Sequence, residues 1–527
     1  MLYVAARWFS AGATAVAAVT LLASCAVGPD FLHPAAPTDA GYTKETLASR
    51  TASSDTPTGQ TQHFAPGRDV PQEWWALFKS PALNALIKRS LNNNPTLQST
   101  IATLRAAKQA VYAQEGKFFP FAQANFNPTR QLTATPIAPV LSSAANPFDL
   151  YTAQVSVAYT FDVWGLNRRT VEALDALADN QRFQVEAAYL TLTANIAIGA
   201  INEASLRAQI DATNELIAIN SKTLDILQQR LRSGIGRQVE VAAQEASLAQ
   251  AKATLPPLRK ALAQQRDALA AFAGAYPNQE PREAFKLADL HLPGELPLSL
   301  PSQLIEQRPD VRAAQEQLHA ASAQIGVATA NTLPNFTISA NAGYANTSLV
   351  NLLAPQNLFW ELAGNATHTI FDGGALFHEL QEAKDTYNAA AWSYRGAVIG
   401  AVQNVADALR ALQNDADALK AARDFERAAK TSLDLARQSQ QNQTGPDYVL
   451  LLLSAEQNYL QATIQVVQAR AARLSDTAAL FAALGGGWWN RAAPPTEKIL
   501  NVGTGKTEIV TGKEKDEGFL RGLWPCP

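Results

Sequence analysis

The chain has 527 residues, and its 43 basic and 46 acidic side chains nearly cancel. This balance argues against a nucleic-acid partner, because binding to a phosphate backbone needs a basic surface. Beyond residue 24 there is no uninterrupted apolar run of about 18 residues, which excludes a protein that spans a membrane with helices. The same observation does not exclude membrane β-strands, whose lipid-facing residues alternate with polar ones.

Residues 1–24 are typical of a cleaved export signal, with Arg7 ahead of an alanine-rich apolar run, 11–23, that is too short to cross a bilayer. Small residues directly before Cys25 resemble a lipobox and predict lipid attachment to that cysteine after cleavage. The alternative is an ordinary signal peptide followed by an incidental cysteine. Ala26 stands where an aspartate would indicate inner-membrane retention, so the resemblance favours the outer membrane.

Residues 25–72 are rich in Pro, Thr, Ser and Ala without periodicity, which predicts an extended tether that leads away from a lipid anchor. A helical segment opens at 73–78. The next helix is predicted to begin at Asn94 and Pro95, a pair typical of helix amino termini, and to end near Lys117.

Four segments have the pattern of β-strands. Residues 151–162 alternate between apolar and polar side chains, and their partner is predicted at 121–129, with 130–150 as an exposed loop. A second pair is predicted at 336–344 and 358–371. A half-buried strand of a soluble sheet alternates in the same way, but four strands of about ten residues, each leading into a long helix, favour membrane strands.

A long helical hairpin is predicted after the first strand pair. It consists of a proline-free run at 166–233, a turn at 234–237 and a return at 239–272. Pro256 and Pro257 should bend or interrupt the returning helix.

A second hairpin follows the second strand pair. Apolar residues recur in steps of three and four from Leu376, the turn falls at 443–447, and the return at 448–484 stops at three glycines, 485–487. About seventy residues at 1.5 Å each make a rod of roughly 100 Å, far longer than a globular helix.

The two halves are an internal duplication, because landmarks recur at a nearly constant offset. We therefore predict a first repeat at 73–290, a second repeat at 291–490 and an irregular tail at 491–527, with the proline-rich stretch 292–301 as the link. The matching landmarks are Pro95 with Pro309, Pro120 with Pro334, Phe161-Asp162 with Phe371-Asp372, and Glu245 with Glu456.

Two motifs resemble those of a known family over about residues 20–490. One ends the second repeat, from Asp476 to Trp489, and resembles the end of the NodT-type, OprM-like lipoprotein subgroup. The other resembles the amino-terminal signature of the TolC-like outer-membrane efflux proteins. It comprises Trp74-Trp75, Phe78, Ser80-Pro81, Leu83-Asn84, Leu86-Ile87, Asn94-Pro95, Leu97 and Leu104-Arg105-Ala106-Ala107.

The expected fold is mainly α with a small β part. One chain offers only four strands, and an open sheet edge in lipid leaves backbone groups unpaired, so several chains must share a barrel. Two copies would give eight strands and three would give twelve. The family resemblance implies a homotrimer with a 12-stranded outer-membrane β-barrel, continued by a periplasmic α-helical barrel.

The resemblance also assigns roles to the two helical turns, although each could be a mere turn. They are expected to dock the pump's periplasmic adaptor through Gly234, Ile235, Gly236, Arg237, Thr444, Gly445, Pro446 and Asp447.

A periplasmic constriction is expected just beyond the second turn, at Leu450, Leu451, Ser454 and Gln457. Members of the family often carry a carboxylate at the position of Ser454. Its absence here favours a hydrophobic and polar closure by 450–453 and Ser454 over a ring of charges.

No residue pattern has the spacing of a catalytic, cofactor or metal site, because the six histidines are scattered and no cysteines pair closely. We therefore expect no enzyme and no cofactor. Cys526 is interpreted as an incidental tail cysteine, with an intermolecular disulfide as the alternative.

The predicted function is the passive exit duct of a tripartite efflux pump that carries small toxic compounds. Its expected partners are a periplasmic adaptor, an inner-membrane transporter of the resistance-nodulation-division type and outer-membrane lipid. A duct for type I protein secretion has the same architecture. A periplasmic coiled-coil scaffold lipoprotein is a rival from another class.

Overall fold

The computed structural model describes residues 26–36, 41–45, 48–132, 147–279, 281–442, 448–491, 498–501 and 506–509. Within these residues the chain is mostly helical. The α-helices are α1 (Pro81–Asn93), α2 (Pro95–Glu115), α3 (Leu166–Arg232), α4 (Gln238–Phe272), α5 (Pro301–Gln307), α6 (Pro309–Asn331), α7 (Ala375–Asn442) and α8 (Tyr448–Ala483).

Three small sheets accompany these helices. The order β2-β3-β5-β6 makes one four-stranded antiparallel sheet, β1 pairs with β4 in parallel, and β7 pairs with β8 antiparallel. The strands are β1 (His63–Pro66), β2 (Phe121–Gln131), β3 (Phe148–Phe161), β4 (Glu295–Leu298), β5 (Asn335–Asn346), β6 (Leu358–Thr367), β7 (Lys498–Asn501) and β8 (Lys506–Ile509).

The internal duplication is visible in the order of elements. In each repeat a helix of about six turns leads into a strand pair and then into a long helical hairpin: α2, β2-β3, α3-α4 in the first, and α6, β5-β6, α7-α8 in the second. The long helices α3 and α7 have 67 and 68 residues. Both predicted hairpins are confirmed to within a few residues at their described ends.

The helical hairpins pack side by side rather than around a globular centre. Helix α3 packs against α4, α6 and α8, and α7 packs against α8 and α6. Alanines occupy many of the buried positions, including Ala197, Ala200 and Ala204 on α3 and Ala401 and Ala408 on α7. Small side chains let helix axes approach closely along their whole length.

The sequence predicts that Pro256 and Pro257 bend or interrupt the returning helix. Interruption is wrong, because α4 continues through both, and the bend stays a prediction. Both prolines lie on an exposed face, where the carbonyls that lose their helical partners can bond to water.

The four-stranded sheet has the expected pairing and one shorter strand. Val155 of β3 lies opposite Ala124 on one side and Ala342 on the other. The last strand was predicted to reach residue 371 but ends at Thr367. The reason is a helix cap: the carboxylate of Asp372 accepts hydrogen bonds from the backbone N–H of Gly374 and Leu376, both at 2.8 Å.

The largest core joins the start of the first repeat to the end of the second. Trp74, Trp75 and Phe78, in a short 3-10 helix, are fully buried. The rings of Trp74 and Phe481 are stacked, with centroids 5.5 Å apart, which ties the first motif of the family resemblance to the second. The two motifs therefore meet in one core.

Short strands also form where the sequence predicts none. Strand β1 lies in the predicted tether and pairs with β4 in the proline-rich link, where the N–H of His63 donates to the carbonyl of Gly294 at 2.7 Å. Strands β7 and β8 form a hairpin in the tail that we expected to be irregular. Four residues are too few for a periodic signal. The strand β1 depends on a partner more than 200 residues away, whereas β7 and β8 pair locally.

No helix among the described residues combines the length and the apolar character that crossing a membrane requires.

Candidate functional site

The turn of the first helical hairpin is tightly built. Gly234 has a φ of +76°, and the N–H groups of Ile235 and Gly236 both donate to the carbonyl of Arg230, at 3.2 and 3.1 Å. The guanidinium of Arg237 pairs with Glu240 at 2.8 Å where α4 begins. The side chain of Ile235 is 65% exposed. The predicted turn is therefore held by hydrogen bonds within it and exposes one apolar side chain, Ile235.

The turn of the second hairpin lies outside the described residues, with Thr444, Gly445, Pro446 and Asp447. The flanking helices end at Asn442 and begin at Tyr448.

The structure separates the residues of the predicted constriction into two groups. Leu451, Ser454 and Gln457 are exposed on one face of α8, and the side chain of Leu450 lies outside the described residues. The expectation that the whole run 450–453 forms the closure is wrong in part, because Leu452 and Leu453 are buried between helices. They cannot line a conduit from this packing.

Glu456 directly precedes the exposed Gln457 in α8, but its own side chain is buried. Its exposed fraction is 1%, and neither carboxylate oxygen has a hydrogen-bond partner among the described residues. Burial raises the pKa of Glu456 to about 7, and the charge of Arg437 acts in the opposite direction. Sequence reasoning used Glu456 only as a repeat landmark, although its spacing from the apolar Leu452 and Leu453 could have placed it on a buried face.

A second charged group is buried where the amino-terminal segment crosses the helices. Arg473 of α8 is fully buried, and its guanidinium donates to the carbonyls of Thr58 and Gln60 and to the side chains of Thr51 and Gln62, at 2.7 to 3.3 Å. Burial lowers the pKa of Arg473 to about 10. The segment predicted as a tether is therefore extended but packed onto α8.

Asp415 of α7 shares this region with Arg473. Burial and the neighbouring carboxyl of Asp476 together raise the pKa of Asp415 to about 7, while the charge of Arg473 acts in the opposite direction.

Candidate ligands for a metal ion are not clustered: within the described residues no group of three or more His, Cys, Asp or Glu side chains is placed to hold one. Cys25 and Cys526 both lie outside the described residues.

The comparisons with known proteins agree with the architecture. The profile of the outer membrane efflux protein family matches residues 86–275 and 300–486, which together are more than half of the chain. The chain therefore belongs to the outer membrane efflux protein family. The predicted resemblance to TolC-like efflux proteins is confirmed.

Curated relatives match along most of their length. The toluene efflux pump outer membrane protein TtgF of Pseudomonas putida is 27% identical over 498 residues, which cover 91% of this chain and 98% of the relative. The pyoverdine export outer membrane protein OpmQ of Pseudomonas aeruginosa is 27% identical over 445 residues, which cover 81% and 91%.

Solved structures show the same fold. The outer membrane channel MtrE of Neisseria gonorrhoeae, in its open state, superposes with a TM-score of 0.74 at 26% identity, over 88% of this chain and 99% of MtrE. The outer membrane protein VceC of Vibrio cholerae gives a TM-score of 0.72 at 25% identity, over 80% and 100%.

Family membership fixes the class of protein. The chain is an outer-membrane efflux channel protein and not an enzyme. The rival interpretation as a periplasmic coiled-coil scaffold is therefore wrong. The predicted mainly helical fold with a small β part is confirmed.

Proposed function

We propose that this chain forms, as a homotrimer, the passive exit duct of a tripartite efflux pump. The observation that carries the proposal is the open sheet β2-β3-β5-β6. Its outer strands β2 and β6 each have a partner on one side only within the described chain, and each strand pair leads into a helical hairpin. Backbone groups in lipid need partners, and three copies of four strands supply twelve, enough for a barrel with a lumen.

The periplasmic end is the proposed place of closure. Three exposed side chains, Leu451, Ser454 and Gln457, share one face of α8 within its first three turns. In a ring of three chains this face would meet its symmetry copies, with Leu450 at the narrow end. The closure would then be hydrophobic and polar, without fixed charge.

The proposed partners are a periplasmic adaptor and an inner-membrane transporter of the resistance-nodulation-division type. The hydrogen-bonded turn at 234–237, with its exposed Ile235, supports adaptor docking at this end. The second turn, 444–447, is the other proposed docking element. The duct itself supplies no energy.

Small organic compounds are the proposed cargo. TtgF is named for a toluene efflux pump and OpmQ for pyoverdine export. We extend the class of cargo, not the particular compound, to this chain.

A lipid on Cys25 is the proposed amino-terminal anchor in the outer membrane. The small residues before Cys25 support it, and so does the position of Ala26 against the end of the strands.

Ionic current through purified protein in planar bilayers tests the duct and its closure together. Ser454→Asp would place three carboxylates at the narrow end and should shift the reversal potential towards cation selectivity, because a ring of acids attracts cations. Ser454→Ala is the matched neutral control and should leave the selectivity unchanged. Absence of any pore current would contradict the duct, and unchanged selectivity in Ser454→Asp would contradict the closure site.

A further inference from the structure

The residues that directly follow Cys25 are held against the joint between strands and helices. The N–H of Val27 donates to the carbonyl of Trp164 at 3.0 Å. Trp164 stands between β3 and α3, and its indole N–H donates to the carbonyl of Pro334, just before β5, at 2.8 Å. The two repeats therefore meet at this joint, and the start of the described chain is bonded to it.

Arg169 of α3 binds the same segment through hydrogen bonds and ion pairs. It is 5% exposed, and its guanidinium donates to the carbonyl of Val27 at 3.1 Å and to that of Gly28 at 3.4 Å. It also pairs with the carboxylates of Asp30 and Glu172, both at 2.7 Å. Five donors in a planar fork suit such a set of acceptors, which an ammonium group cannot match.

A close contact between two glycines, Gly28 and Gly326, also holds this segment. A Cβ on Gly28 would lie 2.4 Å from the Cα of Gly326 on α6, so only glycine permits this approach. Gly326 is itself confined, since a Cβ there would lie 2.8 Å from Cγ of Arg169. We call Arg169 with the contact between Gly28 and Gly326 the anchor clamp.

The network continues along the segment. The ring of Phe31 stacks on His319 of α6, with centroids 4.4 Å apart and planes inclined by 15°. His319 also faces Glu172 at 3.2 Å, the carboxylate that pairs with Arg169. A simple flexible tether would not need these contacts of residues 27–31 with α3 and α6.

We propose that the anchor clamp fixes the place where the lipid on Cys25 enters the membrane, at the rim where strands meet helices, so that Arg169 is a positioning residue for the anchor. The inference rests on the proposed lipid attachment. Cys25 is two residues from Val27, hence within about 7 Å of a fixed point. A slack chain of 26–72 would instead allow an excursion of roughly 40 Å.

Arg169→Ala in the full-length, membrane-inserted protein tests the clamp. A nitroxide spin label on Pro29→Cys, with Cys526→Ser, reports both mobility and depth through its accessibility to oxygen and to a water-soluble nickel complex. In the parent the label should be immobilised and lie at the bilayer interface. Arg169→Ala should lose the immobilised component, whereas Arg182→Ala, an exposed arginine of the same helix, should keep it.

Gly28→Ala tests the clamp without touching Arg169 and should also mobilise the label. Its control is Gly116→Ala, where an added Cβ meets nothing within 4 Å. If Arg169→Ala does not reach the membrane, Arg169→Lys replaces it and should give the same loss. A label that stays immobilised in these variants overturns the clamp.

Incorporation of radiolabelled palmitate, measured on the same samples, separates the two proposals. Without incorporation the lipid anchor is refuted, and placement of a lipid with it, while the mobility data still decide whether the clamp exists. With incorporation, a parent label that lies in bulk water overturns the placement and leaves lipid attachment standing.

Discussion

Glu456 and Glu245 stand at matching places in the two repeats, but their surroundings differ. Glu245 is exposed on α4, whereas Glu456 is buried on α8. A repeat landmark in sequence is thus solvated in one copy and desolvated in the other. Residue type and spacing could not predict this, because burial depends on which neighbouring helix covers each face.

Glu456→Gln should remove a pH dependence of stability. Folding raises the pKa of Glu456 from 4.5 to about 7, so its contribution is favourable below pH 4.5 and is lost as pH rises to about 7. At pH 8 the glutamine variant should therefore be more stable, by on the order of 2 kcal/mol. Thermal unfolding in detergent at pH 5 and pH 8 measures the effect.

Glu245→Gln is the matched control and should follow the parent at both pH values. If Glu456→Gln has the same pH dependence as the parent, the buried carboxyl does not titrate as argued.

Arg473 binds the amino-terminal segment through hydrogen bonds that could not be predicted from the sequence. Arg473→Ala would leave the carbonyl of Thr58 and the side-chain oxygen of Gln62 buried without their donor, at a cost of about 2–4 kcal/mol. We expect new protease cleavage within 51–62 and a lower unfolding temperature. Arg427→Ala removes an exposed pair on α7 and should change neither; equal cleavage in both variants would contradict the role of Arg473.

At the scale of elements, periodic segments could be predicted and non-periodic ones could not. The stripe from Leu376 and the alternation at 151–162 each extend over several periods, so the bounds of α7 and β3 follow closely. The pairing of β1 with β4 joins residues more than 200 positions apart through backbone groups alone. The packing of 48–62 on α8 likewise depends on non-local hydrogen bonds with Arg470, Arg473 and Thr477.

A charge on the lipid-facing side of β3 tests whether this sheet lies in the membrane. Val155 is half exposed at the middle of β3, and we place it on the lipid face. Val155→Arg should reduce the assembled fraction in outer-membrane preparations, because a charge at mid-bilayer costs roughly 2–4 kcal/mol. Gln154→Arg, on the opposite face of the same strand, is the control and should assemble.

Equal assembly of the two variants would contradict the membrane assignment of β3. Since Val157 shares the face of Val155, Val157→Arg should repeat the result of Val155→Arg.

At the scale of the whole molecule, the single chain leaves surfaces that a neighbouring copy could cover. Its four-stranded sheet ends at β2 and β6, and both helical hairpins lie side by side with alanine-rich packing. Long exposed strand edges invite pairing with another chain. Exposed apolar side chains on α7, at Phe377, Trp392 and Ile399, add a further surface for a neighbouring copy.

The native mass of protein extracted from outer membranes in mild detergent, determined by light scattering with the detergent contribution subtracted, tests the shared barrel most directly. We expect three times the mass of one mature chain, because three sheets of four strands close a barrel with a lumen. A particle with the mass of one chain would contradict it, since the edges of β2 and β6 would then have no partner in the membrane.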